Sequence, residues 1–235
     1  MRLSRREFIS VAGAAAAFTA LDRRAGAWAA AVKKGPPVQL FNGKDLAGWY
    51  TFLRSKGAGA DPEGIFKVED QTIHVLGKEF GYLATNDEYD DFHLSLEFKW
   101  GEKKFPPRDK AKRDSGVLYR YPAGQPDKVW PQSIECQIQE GDCGDFWLIG
   151  GASIVAGGEP QTRYFKKKRD KEKAHGKWNR IEVIAEGGRC VHVVNGAVVN
   201  EGESASLGKG RILLQSEGAE VFFRKIELRP LVGRK

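Results

Sequence analysis

The chain has 235 residues, 41% hydrophobic and 29% charged, a globular composition that excludes a disordered or collagen-like polymer. A chain of this length can bury a full hydrophobic core without metal or disulfide staples. The formal net charge of +7 is inflated by the N-terminus, where five arginines stand against Glu7 and Asp22; without residues 1–29 the net falls to about +4, and with no helix-turn-helix or RNA-binding signature no nucleic-acid partner is expected.

In chain order, the first element is a leader. Ser4-Arg5-Arg6-Glu7-Phe8-Ile9 precedes an apolar, alanine-rich run from Val11 to Leu21, the twin-arginine pattern of proteins exported already folded. The run is about half of the roughly 20 residues that cross a bilayer, so it predicts a leader and no stable membrane anchor. Ala27-Trp28-Ala29 fits a signal-cleavage triplet, with Ala25-Gly26-Ala27 as the alternative. Residues 1–29 are therefore expected to be a signal peptide, 30–38 (AAVKKGPPV) a poorly ordered linker, and 39–235 a single domain, periplasmic or secreted. Cys136, Cys143 and Cys190 are odd in number, and a protein folded in a reducing cytoplasm is not expected to rest on disulfides.

Beyond the linker the pattern is strand and turn. Strands are expected at 66–76, 81–85, 92–100, 116–121, 133–139, 180–186, 190–195, 211–217 and 221–230, most alternating with period two and bounded by Gly, Asn, Asp or Pro. Gly187-Gly188 and Asn195-Gly196 supply tight turns, so 180–200 reads as a three-stranded meander. No long helix is visible. Many short strands with regular turn signals predict an all-β, two-sheet jelly-roll sandwich. Two long irregular segments, 101–115 and 142–177, interrupt it, and loops of that length frequently rim a functional cleft. Their basic runs, 103–113 and 166–173, are expected to be solvated, whereas the aromatic pieces GDFWLIG and TRYF are less easily left in water.

The stretch SIECQIQE (133–140) carries the most chemistry. Ile134, Cys136 and Ile138 alternate with Ser133, Glu135, Gln137 and Gln139, so a strand would put one carboxylate and two amides on one face. Ordinary glycosidases flank the scissile bond with two carboxyl groups. Amides bind hydroxyls but move no protons, so this strand reads as a sugar-binding floor with one base. Two neighbouring strands offer Asp114 and Arg120, and Gln215 and Glu217. Arg120 beside Glu135 would hold that carboxylate ionised. A solvated outer face carrying a structural ion pair is the alternative.

The motifs LFNGKDLAGW (40–49), GYLAT (81–85), DFHLSLEF (91–98), DSGVLYR (114–120), IECQIQ (134–139), KWN (177–179), VNGAVV (194–199), ILLQSEG (212–218) and VFFRKIELRPL (221–231) together resemble the bacterial 3-keto-disaccharide hydrolase family. The resemblance spans residues 38–231 and keeps the family's motif order. It departs at Asp114, where the family commonly has Asn, and at Arg224-Lys225, where it has Arg-Asn.

The resemblance implies a concanavalin A-like sandwich, usually exported, that cleaves glycosides oxidised at C3. A C3 ketone acidifies the C2 proton, so one base can form an enolate that expels the C1 substituent, with water adding afterwards. On this reading Glu135 is the base and Arg120 stabilises the developing oxyanion, helped by a histidine or a metal. Gln137, Gln215, Asp114, Asp142 and Glu217 bind substrate, and Trp130 stacks on a sugar face. His74 is an alternative base, as is His175. Asp142 and Asp145 are expected at the pocket rim. No cofactor is certain, and a divalent metal is left open. The expected partner is a small carbohydrate, and the sequence is silent on oligomeric state. The competing reading is a lectin-like binding module without chemistry.

Overall fold

The computed structural model describes residues 25–232. The twin-arginine stretch and most of the expected leader lie outside the described residues. Residues 25–31, which hold both candidate cleavage triplets, form a short helix in which the Val32 N–H donates to the Trp28 carbonyl at 3.1 Å.

From Lys33 the chain is β-structure. It runs through β1 (Val38–Gln39), β2 (Trp49–Leu53), β3 (Gly57–Ala58), β4 (Phe66–Glu69), β5 (Thr72–Val75) and β6 (Gly81–Thr85) into the long β7 (Phe92–Lys104). Next come β8 (Gly116–Tyr121), β9 (Ser133–Gln137), β10 (Phe146–Ile149), β11 (Ile154–Ala156), β12 (Glu159–Gln161) and β13 (Tyr164–Phe165). The last five are β14 (Asn179–Glu186), β15 (Arg189–Val194), β16 (Ala197–Gly202), β17 (Arg211–Ser216) and β18 (Ala219–Pro230). Two eight-stranded antiparallel sheets result. One has the order β16-β15-β14-β7-β18-β5-β4, with β1 also pairing to β18; the other has the order β13-β10-β9-β8-β17-β6-β2-β3. The fold is the all-β two-sheet sandwich that the turn spacing predicts.

Alternation places the core between the sheets. Ile134, Cys136 and Ile138 from the β9 region, Val117 and Tyr119 from β8, and Ile212 and Leu214 from β17 face Leu94, Leu96, Ile181, Val183, Phe223 and Leu228 of the opposite sheet. Most of these are wholly excluded from water, and at about 25 cal/mol per Å² such burial dominates the favourable free energy of folding. A second apolar cluster, Phe52, Tyr82, Ala84, Leu118, Tyr121 and Leu213, lies on the outer side of the second sheet.

Three local departures from the sequence reading matter. The expected linker is not loose: the Gly35 N–H donates to the Pro230 carbonyl at 2.7 Å, and Val38 and Gln39 pair with Leu228 and Glu227. Pro36 and Pro37 lack N–H donors and suit an edge segment. The stretch 66–76 is a hairpin and not one strand, because Asp70 and Gln71 both take positive φ (48° and 56°) and reverse the chain. The third is a bulge in β8. Arg120 sits at φ 59°, and the register to β17 shifts between Leu118 and Tyr121, so the alternation of side chains breaks there.

Candidate functional site

The outer face of the second sheet carries a cavity of about 430 Å³ lined by Asp114, Glu135, Gln137, Gln139, Glu217, Arg108 and Arg163, with Trp130 and Trp147 among its walls. The register builds this face. Gly116 pairs with Gln137, and Leu118 pairs with Glu135 and Leu213. Residues of one parity on β8, β9 and β17 therefore stand side by side, about 4.8 Å apart between strands. Asp114, Gln139 and Glu217 continue those rows just past the strand ends.

Gly116 is the structural key to Glu135. A Cβ at that position would lie 2.0 Å from Glu135 Oε1 and 2.4 Å from Gln215 Oε1. The carboxyl and the amide thus lean into the space that a side chain would fill. Both oxygens are buried without a hydrogen-bond partner, as is Asp114 Oδ1. Buried acceptors are normally satisfied, so the two orphans on cavity-lining residues, Glu135 Oε1 and Asp114 Oδ1, mark a place prepared for a ligand's polar groups. Gln137 is oriented oppositely. Its Oε1 accepts from the Ile138 and Gln139 N–H groups at 2.9 and 3.0 Å, which leaves the Nε2 hydrogens for a bound oxygen.

Arg108 supplies the positive charge. Its Nη1 donates to Asp114 and its Nη2 to Glu217, the latter at 2.8 Å. Gln139 Nε2 donates to the same Asp114 oxygen at 2.6 Å. One guanidinium thus serves three buried carboxyl groups, and it touches only two of them. Burial pushes Glu135 well above the usual carboxylate range, reinforced by Glu217 and Asp114 and only weakly opposed by Arg108. Burial also raises Glu217, to about 7, with Asp114 adding to the rise and Arg108 and the Trp130 indole opposing it. Asp114 is raised by burial against the pull of Arg108 and Gln139. Burial thus favours the protonated form of Glu135, while Glu217 exchanges a proton near neutral pH. The floor carries three carboxyl groups, where the strand alone showed one.

Trp130 is brought to the cavity by the segment 122–132, which crosses the second apolar cluster. Asp127 Oδ1 fastens that segment by accepting from the hydroxyls of Tyr50 at 3.0 Å, Tyr82 at 2.5 Å and Tyr121 at 3.2 Å. Trp130 remains 46% exposed, with Arg54 5.6 Å from its ring, an arrangement that leaves an aromatic face for a sugar. Trp147 stands cross-strand from Glu135 and contacts the Tyr164 ring with centroids 5.0 Å apart.

Several sequence-predicted residues lie elsewhere. Arg120 is a correction: it is fully buried away from Glu135, donating to the carbonyls of Leu207 and Gly187 at 2.6 Å each and facing Asp91 at 3.9 Å. The β8 bulge turns it off the cavity face. Arg120→Met should therefore lower stability by about 3 kcal/mol, through two lost charge-assisted bonds, and leave ligand affinity in the cavity unchanged. Denaturant unfolding and calorimetric binding check this. His74 is the second correction. As a result of the 66–76 hairpin it sits on the other sheet, held between Glu69 at 2.9 Å and Glu220 at 3.0 Å and stacked on Phe222. His175 bonds Glu102 at 3.0 Å in an exposed loop. Asp142 pairs with Lys112 at 2.7 Å and does not line the cavity. Asp145 is buried and accepts from the Lys167 N–H and the Tyr164 hydroxyl. Gln215 is buried beside Glu135 over Gly116 and does not itself line the cavity.

Arg108, Trp147 and Arg163 were not singled out by the sequence. Arg108 lies in a basic run that reads as solvated, and no spacing ties it to Asp114 or Glu217. The two others lie in the aromatic pieces noted in the second long loop. Among the described residues no His, Cys, Asp and Glu side chains group to hold a metal ion. Arg108 occupies the place between Asp114 and Glu217 that a cation would take, so this donor set does not fit a divalent metal. No helix among the described residues is long and apolar enough to cross a membrane.

Solved structures share this fold. A candidate glycosyl hydrolase from Parabacteroides distasonis superposes with a TM-score of 0.59 at 22% identity, covering 83% of this chain and 94% of that one. The Bacillus licheniformis β-glucanase gives 0.52 at 8% identity, covering 87% and 100%. Domain 4 of the Geobacillus stearothermophilus arabinanase AbnA, solved with arabinotriose, gives 0.51 at 9% identity, covering 86% and 95%. At these identities the likeness is one of fold. A search of curated protein sequences returns no match. The 3-keto-alpha-glucoside-1,2-lyase-like domain model matches residues 36–229, and the chain belongs to that family of carbohydrate-active proteins.

Proposed function

We propose that the protein cleaves 3-keto-glucosides and 3-keto-disaccharides by proton abstraction at C2 and elimination across C1–C2, followed by hydration to the free 3-keto sugar. The observation that carries this reading is the placement in one cavity of Glu135, Glu217 and Asp114, with Arg108 paired to Glu217 and Asp114 and not to Glu135; burial accordingly favours the protonated form of Glu135 and brings Glu217 to about 7.

Divided roles follow from the proton count. Glu217 takes the C2 proton, and the electron pair forms the C2–C3 enolate. The Nε2 of Gln137, with Arg108 nearby, supports the negative oxygen. The enolate expels the C1 substituent, whose oxygen takes the proton of Glu135. Glu135, now a carboxylate, then removes a proton from water as it adds to C1, and Glu217, its own proton exchanged with water in the interval, protonates C2. Both carboxyl groups end as they began. Glu135 thus serves as acid in the first half and base in the second. Its burial among carboxylates, with no cation in contact, is what shifts its role from the initial base that the strand pattern suggested. Trp130 and Trp147 supply flat surfaces for the two sides of the substrate.

On this account kcat/KM rises with pH as Glu217 loses its proton, with an acid limb near pH 7, and falls again where Glu135 ionises. Because the groups are coupled, the two limbs belong to the cluster. The test is release of the leaving group from a 3-keto-disaccharide over pH 5 to 9. Binding without cleavage at every pH would favour the lectin-like alternative. The location is part of the proposal: the twin-arginine leader sends the folded domain to the periplasm or beyond, and a signal-dependent fractionation of the full chain tests it.

A further inference from the structure

Two arginines line the cavity, and only one has work there. Arg108 is committed to Asp114 and Glu217. The guanidinium of Arg163 is exposed and makes no hydrogen bond or ion pair with any described residue, although it forms part of the cavity wall. Its backbone is fixed, since the Arg163 carbonyl accepts from the Leu148 N–H at 2.8 Å, immediately before β13 at the sheet edge. It therefore stands two strands beyond β9, about 10 Å from it. Between them lies Trp147, flanked by Ile149 and Gly150 on the cavity wall.

The order across the sheet is Glu217 on the β17 side, then Glu135 on β9, then Trp147 on β10, then Tyr164 on β13, and Arg163, one residue before Tyr164 at this edge, forms part of the cavity wall. If Glu217 serves C2 and Glu135 serves the C1 oxygen, the leaving group must continue past Glu135 onto Trp147 and reach Arg163. We propose that this end of the cavity is a leaving-group subsite for a flat ring bearing a carboxylate, the ring resting on Trp147 and the carboxylate taken by Arg163. This rests on the lyase reading above and adds the class of aglycone to it. A guanidinium matches a carboxylate with two parallel N–H donors, and because Arg163 is exposed solvent screens the pair, so the expected gain is modest and falls with salt. At the other end the cavity's second arginine is already committed to Asp114 and Glu217, so a carboxylate bound in the reverse direction meets no free guanidinium.

The test compares 3-keto-glucosides of 4-hydroxybenzoate and of the neutral, near-isosteric 4-hydroxybenzamide on the full protein. The wild type should prefer the benzoate by about tenfold in kcat/KM, mainly through KM, and the preference should shrink as salt rises. Arg163→Gln should bring the ratio of the two kcat/KM values close to one, with an unfolding midpoint matching that of the wild type. Equal cleavage of both by the wild type, or a preference that survives Arg163→Gln, overturns this inference while leaving the lyase reading intact. Cleavage of neither overturns the lyase reading, and the subsite with it.

Discussion

Glu135→Gln should lower turnover of a 3-keto-disaccharide by about 10²–10⁴-fold, the usual loss on removing a general acid–base group, and should do so selectively. An alkoxide leaving group needs the proton that Glu135 holds. A nitrophenolate does not, so the same variant should expel nitrophenol from a 3-keto-glucoside at a rate much nearer to that of the wild type. Glu217→Gln removes the C2 base and should lose both substrates alike. The contrast separates acid from base in a way that a single inactive variant cannot, and equal losses for Glu135→Gln on both substrates would reverse the assigned roles. Folding should not obscure the result. Glu135 and Glu217 both bind a proton more tightly in the folded state than in the unfolded chain. The stability linked to Glu217 is full below pH 4.5 and is lost as pH rises to about 7. Glu217→Gln should accordingly flatten the fall of the melting temperature across that window.

The second large effect is expected at a residue with no side chain. Gly116→Ala would place a methyl group 2.0 Å from Glu135 Oε1, 2.4 Å from Gln215 Oε1 and 2.8 Å from Glu135 Cδ. Gly116 is not among the positive-φ glycines, so alanine can adopt its backbone without strain, and the atoms that must yield are side-chain ends. The Glu135 carboxyl would be pushed out of its seat. A misplacement of about 1 Å costs on the order of 10²-fold in rate, whereas overpacking of this kind costs about 1–3 kcal/mol in stability. Gly116→Ala should thus fold, as circular dichroism and thermal melting would show, and turn over at least about 100-fold more slowly. Wild-type kcat in a folded Gly116→Ala protein would mean that the position of Glu135 does not matter to the reaction.

The contrast between β9 and β8 explains how much of the site could be read from the sequence. On β9 the alternation is unbroken, so Ile134 and Cys136 go to the core while Glu135 and Gln137 go to the cavity, as the period requires. On β8 the same period places Arg120 beside Glu135, and the bulge at Arg120 overrides it. Nothing in the residues around Arg120 announces a positive φ. The 66–76 hairpin fails for a related reason. Its turn is Asp70-Gln71, without the glycine that normally signals such a reversal, and His74 consequently ends on the opposite sheet. Arg108 is the deeper omission, since its role depends on a long loop folding back over Asp114 and Glu217. Loop placement is a tertiary outcome that no local period encodes. Asp114 and Glu217 were named from the sequence as sugar ligands, and their shared guanidinium and mutual repulsion became visible only in three dimensions.

The most direct test of C2 proton transfer is cleavage of a 3-keto-disaccharide in D2O, followed by NMR of the released 3-keto sugar. Elimination and hydration through Glu217 predict one deuterium at C2 of each product molecule, formed at the rate of cleavage and above the uncatalysed exchange of the ketone. Product released with its original C2 hydrogen, at a rate unchanged when the substrate carries deuterium at C2, would show that the C1 bond breaks by direct displacement, contradicting the account.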